Sequence, residues 1–371
     1  MERETLKYWL ALNRVKGLKK PQMEALAGKD LSPEGLFKGR KSEAAARREH
    51  GFTEELLEGI GGFDGWGRIA EELALLDKSG ISVVTYGDPA YPGLLREIDD
   101  PPCLLYVKGL PLEALKDNDT VAVVGTRQPS PYGAAMSGAI GRDLAIMGVT
   151  VASGMARGCD SFAHKGALSA NGLTIAVLGS GIDIVYPREN RRLYDEISGK
   201  GILISEFPLS TPPQPHNFLK RNRIISGISK GVVVVEAPVR SGALQTAGLA
   251  LGYNREVMAV PGQATSEKGR GVNKLLKEGA ALVECAGDVM GVLGLTPRKA
   301  LAIEEKSEKP AAGQEERLLL KALDNEPLHI DAIAKKAKMP VIKASSLLLE
   351  MELKGLVTRT HGMRFLKRFF K

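Results

Sequence analysis

From Thr120 onward, short runs of uninterrupted apolar residues recur, each followed by a stretch with helical spacing. VAVVG precedes a helix through Ile140, VTVASG one through His164, LTIAVLG one through Leu193, and GILISEF one through Ile225. GVVVVEA, a helix through Leu251 and EVMAVPG extend the alternation to six strands, with AALVE as a candidate seventh. Runs apolar at every position suit strands covered on both faces. Alternating βα units predict an α/β fold, a doubly wound parallel sheet.

The flanks carry other patterns. Residues 1–78 hold LKYWLALNRV, PQMEALAG, SEAAARREH and WGRIAEELALLDKSG, with helical apolar spacing broken by glycine-rich joints. ISVVTYGDPAYPGLLREIDDPPCLLYVKG follows, a small strand-bearing lead-in. Residues 296–314 are charged, contain proline and show no apolar face, which reads as a linker. Three helical segments come next, then LVTRTHGMRFLKRF as two short strands around His361-Gly362, together the outline of a winged helix. The expected domains are therefore 1–78, 79–295 and 315–371, joined by the 296–314 linker. Lys335, Lys336, Lys338, Lys343, Arg359, Arg364, Lys367, Arg368 and Lys371 make the last of these basic.

Composition narrows the class. No apolar run reaches the roughly 18–20 residues that span a bilayer, so no membrane contact is expected. The N-terminus is charged from its second residue and lacks a signal-peptide pattern. Three scattered cysteines, Cys103, Cys159 and Cys285, make neither a disulfide framework nor a zinc site, which fits a reducing cytoplasm. The net charge of +7 permits a phosphate-bearing partner without demanding one. With aromatics at 5%, any stacking on bases must rest on very few rings.

Open α/β sheets bind ligands beyond the carboxyl ends of their strands, so the turns there are informative. They read Gly125-Thr126-Arg127, then Ser153-Gly154-Met155-Ala156-Arg157-Gly158, then Gly179-Ser180-Gly181. A proline-rich loop leads into Phe218-Leu219-Lys220-Arg221-Asn222-Arg223, and the later turns carry Arg240-Ser241-Gly242 and Pro261-Gly262. Glycine amides, helix N-termini and arginines on one edge point to a phosphate-bearing ligand. Neither a dinucleotide fingerprint nor a Walker A lysine motif is present, and no cofactor or metal is expected. Asp160 and His164 share a helix face near Ser153, but Ser153 is not in a nucleophile elbow, so helix capping and a structural imidazole are the stronger readings. Glu206 and Glu236 end strands and invite comparison with a glycosidase carboxylate pair; hydrogen bonding beside the arginines is the plainer reading. Phe218 either stacks on a base or anchors the core.

VAVVGTRQPSPYG, SGMARGCDSFAHKGAL, AVLGSGIDIVYPREN, LISEFPLSTPPQPHNFLKRNRIISGIS, VVVVEAPVRSGALQTAGLAL and VMAVPG, in this order, closely resemble the DNA-processing protein A family (DprA, also called Smf). The resemblance covers residues from about 81 to 290. It implies an extended Rossmann-like domain that binds single-stranded DNA and delivers it to a RecA-type recombinase as a homodimer, without catalysis, in natural transformation and recombination. Carried onto this chain, it implies a phosphate pocket of Gly125, Thr126, Arg127, Ser153, Gly154, Ala156, Gly158, Phe218, Lys220, Arg221, Asn222 and Arg223, beside Ser241 and Gly242. Cys159 and Ser161-Phe162 depart from the family pattern without removing a charge. The N-terminal helices resemble a sterile-alpha-motif or helix-hairpin-helix module with VKGLKK as the hairpin, and the C-terminal region resembles the family's winged helix. The alternative is a phosphoribohydrolase-like enzyme or nucleotide sensor of related fold. Against the enzyme, residues 240–246 read RSGALQT where such enzymes carry P-G-G-x-G-T, and the glutamate of the next helix is missing.

Overall fold

A computed structural model describes residues 3–28, 31–39, 44–116, 118–298, 314–323, 328–353, 357–360 and 363–367. The chain divides into two compact units, Met1–Ile303 and Glu304–Lys371. The first opens with α1 (Arg3–Leu12), α2 (Lys20–Ala27), α3 (Pro33–Phe37), α4 (Ala44–Glu49), α5 (Glu54–Gly61) and α6 (Trp66–Ser79). The lead-in forms β1 (Ser82–Thr85), α7 (Gly93–Glu97) and β2 (Leu104–Gly109). Alternation then runs β3 (Thr120–Val124), α8 (Pro131–Ile146), β4 (Thr150–Ser153), α9 (Cys159–Ser169), β5 (Thr174–Val177), α10 (Arg191–Lys200) and β6 (Ile202–Ser205). It continues through α11 (Pro215–Gly227), β7 (Gly231–Val234), α12 (Gly242–Gly252), β8 (Glu256–Ala259), α13 (Glu267–Lys277), β9 (Ala281–Leu282) and α14 (Ala286–Val292).

These strands build one nine-stranded sheet in the order β1-β2-β6-β5-β4-β3-β7-β8-β9. The seven strands from β6 to β9 are parallel, and the lead-in hairpin adds to β6 antiparallel. Both faces are covered. Val121 and Val123 of β3 enter one apolar cluster, and Ala122 and Val124 enter the other. A fully buried Val or Ile contributes about 1.5–3 kcal/mol. This two-faced burial is why the strand runs are apolar at every position.

The N-terminal helices have no core of their own. Trp9, Leu10 and Leu12 share one cluster with Leu104, Tyr106 and Ile204 of the sheet. Buried Glu72 fastens the join: it accepts from Arg14 Nη2 at 2.7 Å, the Tyr106 hydroxyl at 3.0 Å and the Leu209 amide at 2.9 Å. Two short helices, α3 and α5, lie between the segments that periodicity picks out; each is opened by a side-chain cap, Ser32 accepting from the Gly35 amide and Thr53 from the Leu56 amide.

The second unit contains α15 (Gln314–Ala322), β10 (Leu328–His329), α16 (Ile330–Lys336), α17 (Val341–Leu353), β11 (Val357–Thr360) and β12 (Arg364–Lys367). β11 and β12 pair antiparallel, with β10 on the far edge of β12. The helices close over Leu319, Ile333 and Leu348. Most of the expected linker, together with His361-Gly362, Arg368 and Lys371, lies outside the described residues.

Candidate functional site

The chain winds from β3 outward to β6, then returns to lay β7 on the opposite side of β3. Open sheets place their ligand crevice at such a reversal. A cavity of about 630 Å³ lies there, walled by the turn after β3, the start of α9, α11 and the start of α12. Gly125, Thr126, Arg127, Ala156, Phe218, Arg221, Asn222, Ser241 and Gly242 all line it. Tyr186 lines it too, and the sequence reading passed over it. Its signal is an aromatic ring in the third loop, VYPREN, beyond the glycine turn of that strand.

Arg127 is exposed, and its guanidinium stands 5.4 Å from the Phe218 ring centre. Phe218 lies against Tyr186 with centroids 5.4 Å apart and planes at 35°. A Cβ on Gly179 would sit 2.6 Å from the Phe218 ring, so the third glycine turn serves as the seat of this aromatic. Ser241 caps α12, its Oγ accepting from the Leu244 amide at 3.4 Å. Gly242 leaves the cavity-facing end of that eleven-residue helix open, and helix N-termini favour anions.

The floor is polar and buried. Arg221 is 3% exposed and donates from Nη1 to the carbonyls of Gly154, at 2.6 Å, and Val177. Burial pulls its pKa down to about 10, so it stays charged at neutral pH. Its guanidinium lies 6.0 Å from the Phe218 ring. Asp160 lies in the first turn of α9, where it accepts from the amides of Gly154 at 3.1 Å and Ala156 at 3.4 Å. Burial raises its pKa against the pull of Arg221 and these amides. The loop they hold carries Met155 at φ +57°, a left-handed geometry rare for such a residue. Asn190 Nδ2 pins it by donating to the Met155 carbonyl at 2.8 Å.

Five expected pocket residues lie outside the cavity wall, each for a local reason. Ser153 is fully buried and donates to the Val123 carbonyl at 2.7 Å, joining two strands. The Gly154 amide is committed to Asp160 and is closed to a phosphate. Gly158 holds φ +78°, and a Cβ there would meet the Thr126 carbonyl at 2.4 Å, so it packs one turn on another. Lys220 and Arg223 face the other side of α11, paired with buried Glu206 at 2.9 and 2.5 Å. Helical spacing explains the split: Phe218, Arg221, Asn222 and Ile225 repeat every three or four residues, whereas 220 and 223 point elsewhere.

The hydrolytic constellations are not assembled. His164 Nδ1 lies 2.7 Å from Thr174 Oγ1, and burial drives its pKa down to about 3. Thr174 spends its own proton on the Val151 carbonyl, so Nδ1 is the donor in that contact. Glu236 accepts from the Ser130 amide at 2.8 Å and hydroxyl at 2.5 Å at the start of α8, far from the Lys220 and Arg223 pairing of Glu206. Among the described residues, no three His, Cys, Asp or Glu side chains group as metal ligands, and no helix is long and apolar enough to cross a membrane.

An open parallel sheet with a basic, aromatic-edged cavity at its switch point defines a Rossmann-like ligand-binding protein. The chain belongs to the DNA recombination-mediator protein A family, whose profile matches residues 82–294; a second profile, the DprA winged helix domain, matches residues 304–363. Protein Smf of Synechocystis is 33% identical over 97% of this chain and 98% of its own length. Protein Smf of Escherichia coli is 39% identical over 79% of each chain. Among solved structures, DNA processing protein A from Streptococcus pneumoniae superimposes with a TM-score of 0.62 at 31% identity, over 77% of this chain and 97% of that one. DNA processing protein A from Helicobacter pylori, studied for its single-stranded DNA binding mode, gives 0.52 at 29% identity over 57% of this chain and 95% of that one.

Proposed function

We propose that the switch-point cavity grips single-stranded DNA, and that the chain passes the strand as a homodimer to a RecA-type recombinase, by binding rather than catalysis. The observation that carries the first part is the Arg127–Phe218–Tyr186 group set beside the open end of α12. Phosphates meet Arg127 and the first amides of α12. Bases meet the exposed Tyr186 and the part of the half-buried Phe218 ring that its neighbours leave uncovered, contacts that carry little sequence preference. A duplex keeps its bases stacked inside, so rings at a cavity mouth favour a single strand. The single-stranded DNA binding mode described for the Helicobacter pylori relative supports this ligand. The recombinase and the dimer rest on family resemblance.

The test uses labelled oligonucleotides with Arg127→Ala and Phe218→Ala. Arg127→Ala is expected to lower the salt slope of binding by about 1. Phe218→Ala is expected to weaken binding by about 1–3 kcal/mol with the slope kept. Unchanged affinity in both variants would place the strand on another surface. Base release from nucleoside monophosphates without strand binding would favour the enzyme alternative.

A further inference from the structure

A second cavity, of about 370 Å³, opens on the opposite side of α11. It lies between the loop after α1, the 100–103 segment, and the side chains of Glu206, Lys220 and Arg223. The two charged features that the first cavity leaves unused, the VKGLKK loop and the Lys220/Arg223 face, therefore meet here. Lys16 and Gly17 are exposed at its rim, and Gly17 turns the loop at φ +93°. Inside, Glu206 and Arg223 are 5% and 7% exposed. Their contact uses Glu206 Oε2 and Arg223 Nη2; Glu206 Oε1 and Arg223 Nη1 are buried with no hydrogen-bond partner. Arg223 Nε also lies 3.4 Å from Asp100 Oδ2, yet a buried pair that leaves one acceptor and one donor unpartnered is costly as it stands. A nucleobase edge carries both complements.

The two cavities share α11 as a wall. Leu219 lines the first and Lys220 the second, and both are exposed. Consecutive exposed residues near the start of α11 thus reach the two cavities. A helix is about 10–12 Å across, which takes at most about three nucleotides, because about 3.4 Å is the stacked duplex rise and an unstacked strand reaches further per nucleotide. We propose that the second cavity takes a further nucleotide of the strand held in the first, its phosphate on Lys16 and Lys220 and its base against the unpartnered Glu206–Arg223 pair. The proposal rests on the single-strand reading.

The experiment compares two labelled oligodeoxythymidylates on the full chain, one long enough only for the first cavity and one longer by the crossing. The variants are Lys16→Ala and Lys16→Ala/Lys220→Ala, with unfolding midpoints measured alongside. The wild type is expected to prefer the longer strand several-fold. Each lysine removed should lower the salt slope on that strand by about 1 and shrink the preference, leaving the short strand unaffected. Lys16 is an exposed loop residue, so the single variant reads out even where the double one unfolds. A preference unchanged in the variants, or a wild type that binds both strands alike, overturns the second cavity alone. A wild type that binds neither strand overturns the single-strand reading as well.

Discussion

Arg221 holds a full charge in a buried position because two carbonyls, Gly154 and Val177, take its Nη1 protons and Asp160 offsets it. Arg221→Ala would leave those acceptors bare and a void beneath Phe218. Urea unfolding is expected to show a loss of about 3–5 kcal/mol. The neighbouring His164 gives a pH signature. Its folded pKa of about 3 lies below the ordinary 6.5, so the unfolded chain takes up the proton first as pH falls. Its share of stability is whole above about pH 6.5 and drains away toward about 3, at up to about 1.4 kcal/mol per pH unit. His164→Asn keeps a donor for Thr174 and should flatten the dependence between pH 6.5 and 5; an identical slope would mean that His164 does not titrate as its burial demands. The residue types at the site were legible in sequence, since glycine, small hydroxyl and arginine follow strand ends. Which arginine faces the cavity was not. Arg221 and Arg223 differ by two positions on a helix, and only the packing of α11 decides which side each takes.

At the scale of elements, the loop from β4 to α9 shows how the cavity wall is made. Asp160 reaches back to the loop amides, Asn190 holds Met155, and Gly158 lets the loop press on the turn after β3. Gly158→Ala would force a side chain into a left-handed backbone and against the Thr126 carbonyl. It is expected to lower the thermal midpoint and weaken oligonucleotide binding together, through the displaced Thr126-Arg127 turn. Normal stability with normal binding would show that this turn tolerates movement. The sequence expected free amides in this loop to hold phosphate. Asp160 takes two of them instead, and a carboxylate six residues downstream gives no local sign of folding back. The parallel strands were legible because two-faced burial writes itself as unbroken apolar runs. The union of the N-terminal helices with the sheet was not, because a shared core leaves the same periodicity as a separate one.

For the whole molecule, the first unit carries a basic cavity on a largely parallel sheet and the second is a winged-helix module of the same family. The net charge of +7 assists encounter with a polyanion of either form, so under the proposed function discrimination between single strand and duplex falls to the rings of the cavity. The central claim is tested most directly by fluorescence anisotropy of the full chain with single- and double-stranded oligonucleotides of one sequence across a salt series. The account predicts tighter binding of the single strand at every salt concentration, with log affinity falling linearly as log salt rises. Equal affinity for the two forms, or single-strand affinity indifferent to salt, would contradict it.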